Sequence, residues 1–204
     1  MTGRRALGLA GPAEQTLRET IRNAAAAGVD WIQIREKDLE TRALLELVRV
    51  AVAETRPGGT RIIVNDRLDV ALAAGAGGVH LGEASLPLKE VADWRRATRD
   101  PEFQIGISCH SLEAARLAER DGADYIIFGP VFATPSKASF GLPQGIETLR
   151  TVCATVEIPV FAIGGVTVEN AGSCIDACAA GVAAIRLFQE APDLKLVVKG
   201  LREK

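Results

Sequence analysis

Polar residues that could bind an anion follow one of the short apolar runs of this 204-residue chain. In Gln33-Ile-Arg35 the polar side chains are two residues apart, so on a strand both point to the same face, and Lys37 follows on the loop. A desolvated arginine and glutamine are costly unless an anionic or hydrogen-bonding group meets them. An internal ion pair of Arg35 with Glu36 or Asp38 is the alternative, and we favour the anion-binding role.

Asn65 and Asp66 end another apolar run and bring an amide beside a carboxylate. Carboxylates, waters and substrate phosphates are the usual ligands of Mg²⁺ in proteins. Asn and Asp are also good helix caps, and a short helix is predicted after Asp66. Taken alone, the pair supports a metal site and a helix start equally.

The segment from Gly129 to Lys137 is a long polar loop, which continues to Gly145. Such loops are usually functional. The hydroxyls of Thr134 and Ser136 and the ammonium of Lys137 form a set suited to phosphate or carboxylate oxygens. We therefore expect this loop to bind an oxyanion.

Gly164 and Gly165 end a later apolar run, ahead of a predicted helix that Thr167 to Asn170 opens. Glycine backbone at the amino end of a helix is suited to phosphate, although a Gly-Gly pair alone is weak evidence. Two further candidates for substrate contact stand at the end of the last predicted strand, Ile185 and Arg186.

The histidines and cysteines are interpreted mainly as structural. His80 lies inside a predicted strand, where a packed role is favoured over a catalytic one, whereas for His110 both roles stay open. Cys174 and Cys178 are four residues apart and could form a metal site with His110, but small buried thiols, reduced in a cytosolic enzyme, are the favoured interpretation. The same holds for the other two cysteines, Cys109 and Cys153.

These candidates are positioned by alternating strands and helices. The apolar runs are Trp31–Arg35, Arg61–Asn65, Gly78–Leu81, Gln104–Ser108, Tyr125–Gly129, Val160–Gly164 and Ala183–Leu187, with helix-length stretches between them. Strand–helix alternation without hairpin signals predicts a parallel sheet, and about eight such units in ~200–250 residues predict a closed barrel. The expected fold is thus α/β, a single (β/α)8 TIM barrel, with chemistry at the carboxyl ends of its strands. Its first strand, within Met1–Leu9, is predicted to be short or irregular.

The composition limits the class of protein. Hydrophobic residues make up 48% of the chain and the formal net charge is −2, with no basic tract, so we expect one domain over 1–204 and no nucleic-acid partner. No apolar run is long enough for a membrane span, and no leader is recognised, so a cytoplasmic protein acting on small molecules is expected. Whether it forms a homo-oligomer is left open.

Five motifs together resemble one family. In chain order they are Gln33-Ile-Arg-Glu-Lys37, Val64-Asn-Asp66, Gly78-Val-His-Leu-Gly82, Gly129-Pro-Val-Phe-Ala-Thr-Pro-Ser-Lys137 and Ala162-Ile-Gly-Gly-Val166. They are similar to those of the thiamine phosphate synthase family, which also takes in the TenI-type thiazole tautomerases. The resemblance implies a barrel enzyme that joins hydroxymethylpyrimidine diphosphate to thiazole phosphate and releases diphosphate.

The resemblance also implies roles for individual residues. Asp66 would bind Mg²⁺, and the second ligand position, usually acidic in the family, holds Ser85. The diphosphate would be held by Arg35, Lys37, Asn65 and Lys137. Gln33 and Ser108 would lie near the pyrimidine, and the thiazole phosphate would contact Thr134, Ser136, Gly164 and Gly165.

Two alternatives remain beside the synthase. A TenI-type tautomerase is favoured by Ser85 but needs a proton carrier, and the position where that branch carries a histidine is Pro130. The other alternative is a protein that binds thiazole phosphate or thiamine phosphate without turnover. It would agree with a metal site in which Ser85 replaces the usual acidic ligand. Pro130, Thr134 and Lys137 favour the synthase.

Overall fold

The computed structural model describes residues 1–2, 13–82, 84–134 and 142–204. Parallel strands alternate with helices along these residues and form one sheet in chain order. The strands are β1 (Trp31–Ile34), β2 (Arg61–Asn65), β3 (Gly78–Leu81), β4 (Gln104–Cys109), β5 (Tyr125–Phe128), β6 (Val160–Ile163) and β7 (Gly181–Ala183). The predicted α/β class and parallel sheet are confirmed, and the first six runs match β1 to β6 to within one residue at their ends.

Helices fill the helix-length stretches between the predicted runs, and one short helix, α8, begins within the last predicted run. They are α1 (Ala13–Ala26), α2 (Thr41–Thr55), α3 (Leu68–Ala74), α4 (Leu88–Thr98), α5 (Leu112–Arg120), α6 (Gly145–Cys153), α7 (Ala171–Asp176), α8 (Arg186–Gln189) and α9 (Leu194–Arg202). Ser111 caps α5 as its residue type favours, because its side chain accepts the N–H of Ala114. No helix in the described ranges combines the length and apolar character that a membrane span requires.

The first of two compact units comprises Met1–His80, Glu102–Gln104 and Ile185–Lys199. Its strands are buried on both faces, as is typical of a parallel sheet covered by helices, and β2 accordingly has three successive β-branched residues. In β2 the residues Ile62, Ile63 and Val64 are all at most 2% exposed. The helices cover them with a buried apolar set, Leu17, Ile21, Leu44, Leu47 and Val48. This packing holds the polar end of β2, Asn65, at the edge of a rigid core.

The second unit comprises Leu81–Pro101, Ile105–Ala184 and Gly200–Lys204. All four residues of β5 are buried, and they pair in parallel with β4 on one side and β6 on the other. Gly106 in β4 is required by close packing, because a Cβ there would lie 2.0 Å from Cζ of Tyr125. The Tyr125 ring in turn meets Phe161 edge to face, with centroids 5.7 Å apart.

The last predicted strand, Ala183–Leu187, is wrong in its bounds. The strand is Gly181–Ala183, and Arg186–Gln189 form the short helix α8. The backbone turns at Ile185, whose carbonyl accepts the N–H groups of Phe188 and Gln189. A short apolar run has no periodicity that separates strand from helix, so the sequence placed this boundary too late. Ile185 and Arg186 therefore belong to a helical turn and do not end a strand.

The predicted first strand falls mostly on residues outside the described ranges. Of that segment the structure describes Met1 and Thr2, and Thr2 is 4% exposed. The N–H of Thr2 donates to the carbonyl of Gln33 at 2.8 Å, and the N–H of Arg35 donates to Thr2 Oγ1 at 2.9 Å. Thr2 is thus hydrogen-bonded directly to β1 and to the residue that follows it.

Candidate active site

Gln33 in β1 and the two polar residues at the end of β2 form a continuous chain of hydrogen bonds. Gln33 Nε2 donates to Asn65 Oδ1 at 2.9 Å, and Asn65 Nδ2 donates to Asp66 Oδ2 at 2.7 Å. Gln33 is level with Ile63 in the β1–β2 register, so Asn65 lies two residues further along the same face. Gln33 is 7% exposed, and its Oε1 is buried without a partner among the described residues. Three predicted site residues are therefore brought together.

The backbone at Asp66 adopts a conformation that few residue types accept. Its φ is 62°, in the left-handed region where Asn and Asp are enriched, and its N–H donates to the carbonyl of His80 at 2.9 Å. The next helix, α3, has Arg67 at its N-cap position without a capping side-chain bond. The helix-capping alternative for Asn65 and Asp66 is therefore not realised, and the Asp66 carboxylate is held by Asn65.

Lys37 supplies a cation beside this carboxylate. Its Nζ lies 3.9 Å from Asp66 Oδ2, and its side chain is 62% exposed. Arg35 is half-buried, and no ion pair joins it to Glu36, Asp38 or any other residue in the described ranges. The structure therefore does not support the internal ion pair that was the alternative for Arg35.

A cavity of about 230 Å³ opens beside Asp66 in the first unit. Its walls combine apolar residues with charges of both signs, a combination that suits a polar ligand with an apolar part. The lining residues are Ile34, Glu36, Lys37, Leu39, Leu44, Asn65, Asp66 and Arg67. Arg67 is the one cation of this wall that sequence reasoning missed, although its place directly after Asn65-Asp66 could have indicated it.

His80 packs as the sequence predicts. It is 1% exposed in β3, and burial lowers its pKa to about 4, although the nearby Asp66 carboxylate acts in the opposite direction. A desolvated imidazole disfavours its charged form, so His80 is neutral at physiological pH.

We expect the protonation of His80 to destabilise the fold in acid. The unfolded chain takes up this proton below the ordinary pKa of 6.5, but the folded chain takes it up only near pH 4. The contribution of His80 to stability is therefore complete above pH 6.5, falls as the pH drops toward 4 and is lost below it, a total of about 3 kcal/mol. Denaturant unfolding across this range, without Mg²⁺, measures the loss, and a His80→Asn variant should lack it. An NMR titration of the folded protein with His80 ionising near pH 6.5 would contradict the prediction.

In the second unit, Gly164 and Gly165 form a turn against residues 130–133. Both have positive φ, 96° and 65°. The carbonyl of Gly164 accepts the N–H of Phe132 at 3.0 Å, and a Cβ on Gly165 would lie 2.5 Å from the Ala133 carbonyl oxygen. The glycines are therefore required by close backbone approach. The helix after them, α7, begins at Ala171 with Asn170 as its N-cap residue, and Thr167 and Asn170 exchange side-chain to backbone hydrogen bonds ahead of it, so the prediction that this segment opens the helix is confirmed.

Replacing Gly165 with Ala should destabilise the protein more than replacing Gly75, which provides a matched control. Both have a φ of 65°, but a Cβ on Gly75 meets nothing within 4 Å. Gly75→Ala should therefore cost about 1–2 kcal/mol of left-handed backbone strain, and Gly165→Ala about 1–3 kcal/mol more from steric overlap. Chemical denaturation measures both, and equal losses would show that the turn against residues 130–133 can relax.

The other predicted residues of the second unit each have their own burial and contacts. Ser108 and Thr134 are half-buried, Ser108 within β4 and Thr134 in the loop after β5. Ser85 is also half-buried, and its Oγ accepts the N–H of Gly82 at 2.6 Å, closing the turn after β3. His110 Nδ1 contacts the Gly129 carbonyl oxygen, which can only accept, so Nδ1 carries the proton. The Gly129–Pro130 peptide bond is cis.

Two predicted oxyanion ligands, Ser136 and Lys137, lie outside the described residues. Arg186 is exposed at the start of α8 in the first unit, with Ile185 directly before it. Cys109 and Cys174 are buried free thiols, and burial raises the pKa of Cys109 to about 12. In the described ranges no cluster of three or more His, Cys, Asp or Glu side chains could hold a metal. The prediction of buried thiols is therefore confirmed for Cys109 and Cys174, whereas Cys153 is half-buried and Cys178 is exposed.

Comparison with known proteins gives a consistent result. A family model described as thiamine monophosphate synthase matches residues 8–188. A putative thiamine-phosphate synthase of Geobacter sulfurreducens is 45% identical over 177 residues, covering 87% of this chain and 81% of that protein. A thiamine-phosphate synthase of Moorella thermoacetica is 44% identical over 185 residues, covering 91% and 86%.

Solved structures agree in fold. A thiamine phosphate pyrophosphorylase from Pyrococcus furiosus superposes with a TM-score of 0.83 at 35% identity, covering 99% of this chain and 91% of that one. A 3-hexulose-6-phosphate synthase superposes with a TM-score of 0.66 at 17% identity, covering 91% and 93%, and this likeness concerns the fold alone.

Proposed function

This chain belongs to the thiamine monophosphate synthase family, and from that premise we propose which of its residues bind the substrates. Its function is that of a thiamine-phosphate synthase, a transferase of thiamine biosynthesis. The reaction joins hydroxymethylpyrimidine diphosphate to thiazole phosphate and releases diphosphate. The observation that carries the assignment of residues is the Gln33–Asn65–Asp66 hydrogen-bond chain with Lys37 beside it.

The diphosphate is assigned to the polar ends of β1 and β2 in the first unit. Lys37 is exposed and Arg35 half-buried, so both can contribute positive charge, and the described residues offer Arg35 no competing ion pair. Asn65 donates and accepts within its chain, which fixes the orientation of its amide. Gln33 is assigned to the pyrimidine, because its buried Oε1 needs a donor and an amino group would supply one. Lys137 is retained as a further diphosphate ligand from the sequence alone.

The donor set at Asp66 fits Mg²⁺ of the kind that keeps waters and substrate phosphates. Such sites use one or two carboxylates, and the Asp66 carboxylate is held in place by Asn65. The Ser85 hydroxyl already closes a turn with Gly82, so we assign the protein ligand to Asp66. When bound, Mg²⁺ would supply positive charge to the diphosphate oxygens.

The chemistry asks for stabilisation of the leaving group and not for a base. The C–O bond to the diphosphate breaks with its electron pair leaving on oxygen, and the thiazole nitrogen then forms the new C–N bond to the pyrimidine cation. No proton is removed in this sequence, so it requires no acid–base role of His80, which is buried in β3. Lys37 and Arg35 act by neutralising the charge that develops on the diphosphate.

In the second unit we assign the thiazole phosphate to Ser136, Thr134 and the Gly164–Gly165 turn, and Ser108 to the pyrimidine. Support comes from family membership and from the place of both glycines directly after β6, because the carboxyl ends of barrel strands carry the phosphate sites. Arg186 and Ile185 are retained as further substrate contacts. We also propose the full (β/α)8 barrel, because the N–H of Thr2 donates to the carbonyl of Gln33 in β1, as a residue of a neighbouring strand would.

A product assay with the pyrimidine diphosphate, thiazole phosphate and Mg²⁺ tests the function. We expect thiamine phosphate and diphosphate to form in equal amounts. Conversion of the thiazole carboxylate phosphate tautomer without thiamine phosphate formation would instead identify a tautomerase. Binding of thiazole phosphate without any turnover would identify a non-catalytic binding protein. Either result would overturn the synthase assignment.

A further inference from the structure

Arg67 connects the two loops that carry the proposed diphosphate and metal ligands. It follows Asp66 directly, in the loop between β2 and α3. Its Nη2 donates at 3.2 Å to Oγ1 of Thr41, the first residue of α2. The loop between β1 and α2, which carries Lys37, ends at Thr41. This hydrogen bond therefore joins the loop of Lys37 to the loop of Asp66.

The guanidinium of Arg67 is itself held by a two-pronged contact with Asp69. Nε donates to Oδ1 at 2.9 Å and Nη2 donates to Oδ2 at 2.6 Å. Such fork-to-fork pairs fix orientation as well as supplying energy, and a lysine cannot reproduce them. The hydrogen bond lowers the pKa of Asp69 and raises that of Arg67, so the pair stays charged. Asp69 thus fixes the plane from which Arg67 reaches Thr41.

The hydrogen bonds of Arg67 to Thr41 and Asp69 form a clamp between the two loops. The backbone around Asp66 links this clamp to the Asp66 carboxylate. Asp66 is anchored before and after, because the N–H of Arg67 donates to the Asn65 carbonyl at 2.8 Å and the N–H of Leu68 donates to the Asp66 carbonyl at 3.2 Å. The left-handed φ of 62° persists only where neighbouring contacts hold it. A displacement of Arg67 would therefore move the residue immediately before it.

We propose that Arg67 is a positioning residue: with Thr41 and Asp69 it holds the two loops at the separation that Lys37 and Asp66 need to bind one diphosphate with its Mg²⁺. The inference rests on the proposed function and adds a residue set to it. Thr41 and Asp69 do not line the cavity, whereas Arg67, Lys37 and Asp66 do. Thr41 and Asp69 therefore make no direct contact with a ligand in the cavity, and their substitutions are expected to weaken its binding through Arg67.

Calorimetric titration of the protein with inorganic diphosphate in the presence of Mg²⁺ tests this inference. Thr41→Val keeps the side-chain shape and removes the acceptor, and Asp69→Asn removes the charge of the fork. Each should raise the dissociation constant about 10-fold, in the range measured when partners that orient ligands are removed. The control is Glu90→Gln, which removes an exposed first-turn acid from α4 and should leave binding unchanged.

Steady-state kinetics separate positioning from general destabilisation. Thr41→Val and Asp69→Asn should raise the KM for the pyrimidine diphosphate and leave the KM for thiazole phosphate unchanged. Arg67→Lys combined with Thr41→Val should be no worse than Arg67→Lys alone, because both break the same clamp.

Two outcomes would overturn the inference in different ways. If Arg67→Lys weakens diphosphate binding but Thr41→Val and Asp69→Asn do not, Arg67 contacts the ligand directly and is not a positioning residue. If the unaltered protein itself fails to bind diphosphate with Mg²⁺, the proposed function of the site is wrong, and the inference falls with it.

Discussion

Replacing Asp66 with Asn is expected to lower turnover by about 10²- to 10³-fold, the range found when one preorganised charge-stabilising group is removed. Asn accepts the left-handed φ of 62° as readily as Asp, so the substitution removes charge without adding backbone strain. Asp66→Ala would remove the charge and add backbone strain at the same time, so the two effects could not be separated. In Mg²⁺ titrations of the rate, the variant should bind the metal more weakly and need a higher Mg²⁺ concentration for its half-maximal rate. Its free energy of unfolding should stay close to that of the unaltered protein.

Glu46→Gln provides the control for Asp66→Asn. Glu46 is an exposed acid of α2 that pairs with Arg49 and lies outside the cavity wall. Its substitution should leave both turnover and metal dependence unchanged. If Asp66→Asn retained full turnover with the same Mg²⁺ requirement, Asp66 would not be the metal ligand.

Lys37→Gln should lower turnover by about 10²-fold with little change in stability. The ammonium is 62% exposed and 3.9 Å from Asp66, so it contributes little packing and only a weak ion pair to the fold. Its removal takes away positive charge where the diphosphate leaves, and the inhibition constant of inorganic diphosphate should rise together with the loss in kcat/KM. Thermal unfolding with and without diphosphate is the accompanying measurement.

Lys89→Gln is the matched control for Lys37. Lys89 is similarly exposed, 66% against 62%, and forms an ion pair of the same residue types with Asp93 on α4. It should change neither turnover nor diphosphate inhibition. If Lys37→Gln and Lys89→Gln behaved alike, the role of Lys37 in leaving-group stabilisation would be contradicted.

Most of the fold of this chain was predictable because its signals are local. The runs Arg61–Asn65 and Gly78–Leu81 match their strands residue for residue, and in Arg61–Asn65 the reason is three successive β-branched residues between polar ones, which suit a buried parallel strand. The run Ala183–Leu187 failed because strand and helix are indistinguishable over five apolar residues. The strand ends at Ala183 because only Gly181–Ala183 find partners on β6.

The residue types of the candidate site could be predicted from the sequence in part, but its connections could not. Gln33, Lys37, Asn65 and Asp66 are recognisable from their types and their places after strands. Arg67 was missed because nothing in its neighbourhood indicates a partner 26 residues earlier, Thr41. The segment Thr167 to Asn170 opens α7 as predicted, but the sequence did not show that the two side chains would bond to each other's backbone N–H groups.

The sequence by itself determined the alternation of strands and helices, the family and the polar residues at the strand ends, because these depend on residue type and short-range periodicity. Only the tertiary structure decided which polar groups meet. Gln33 and Asn65 are 32 residues apart and bond because parallel pairing sets β1 beside β2. The left-handed backbone of Asp66 and the neutral state of His80 likewise follow from packing, since each depends on contacts and burial that distant segments supply.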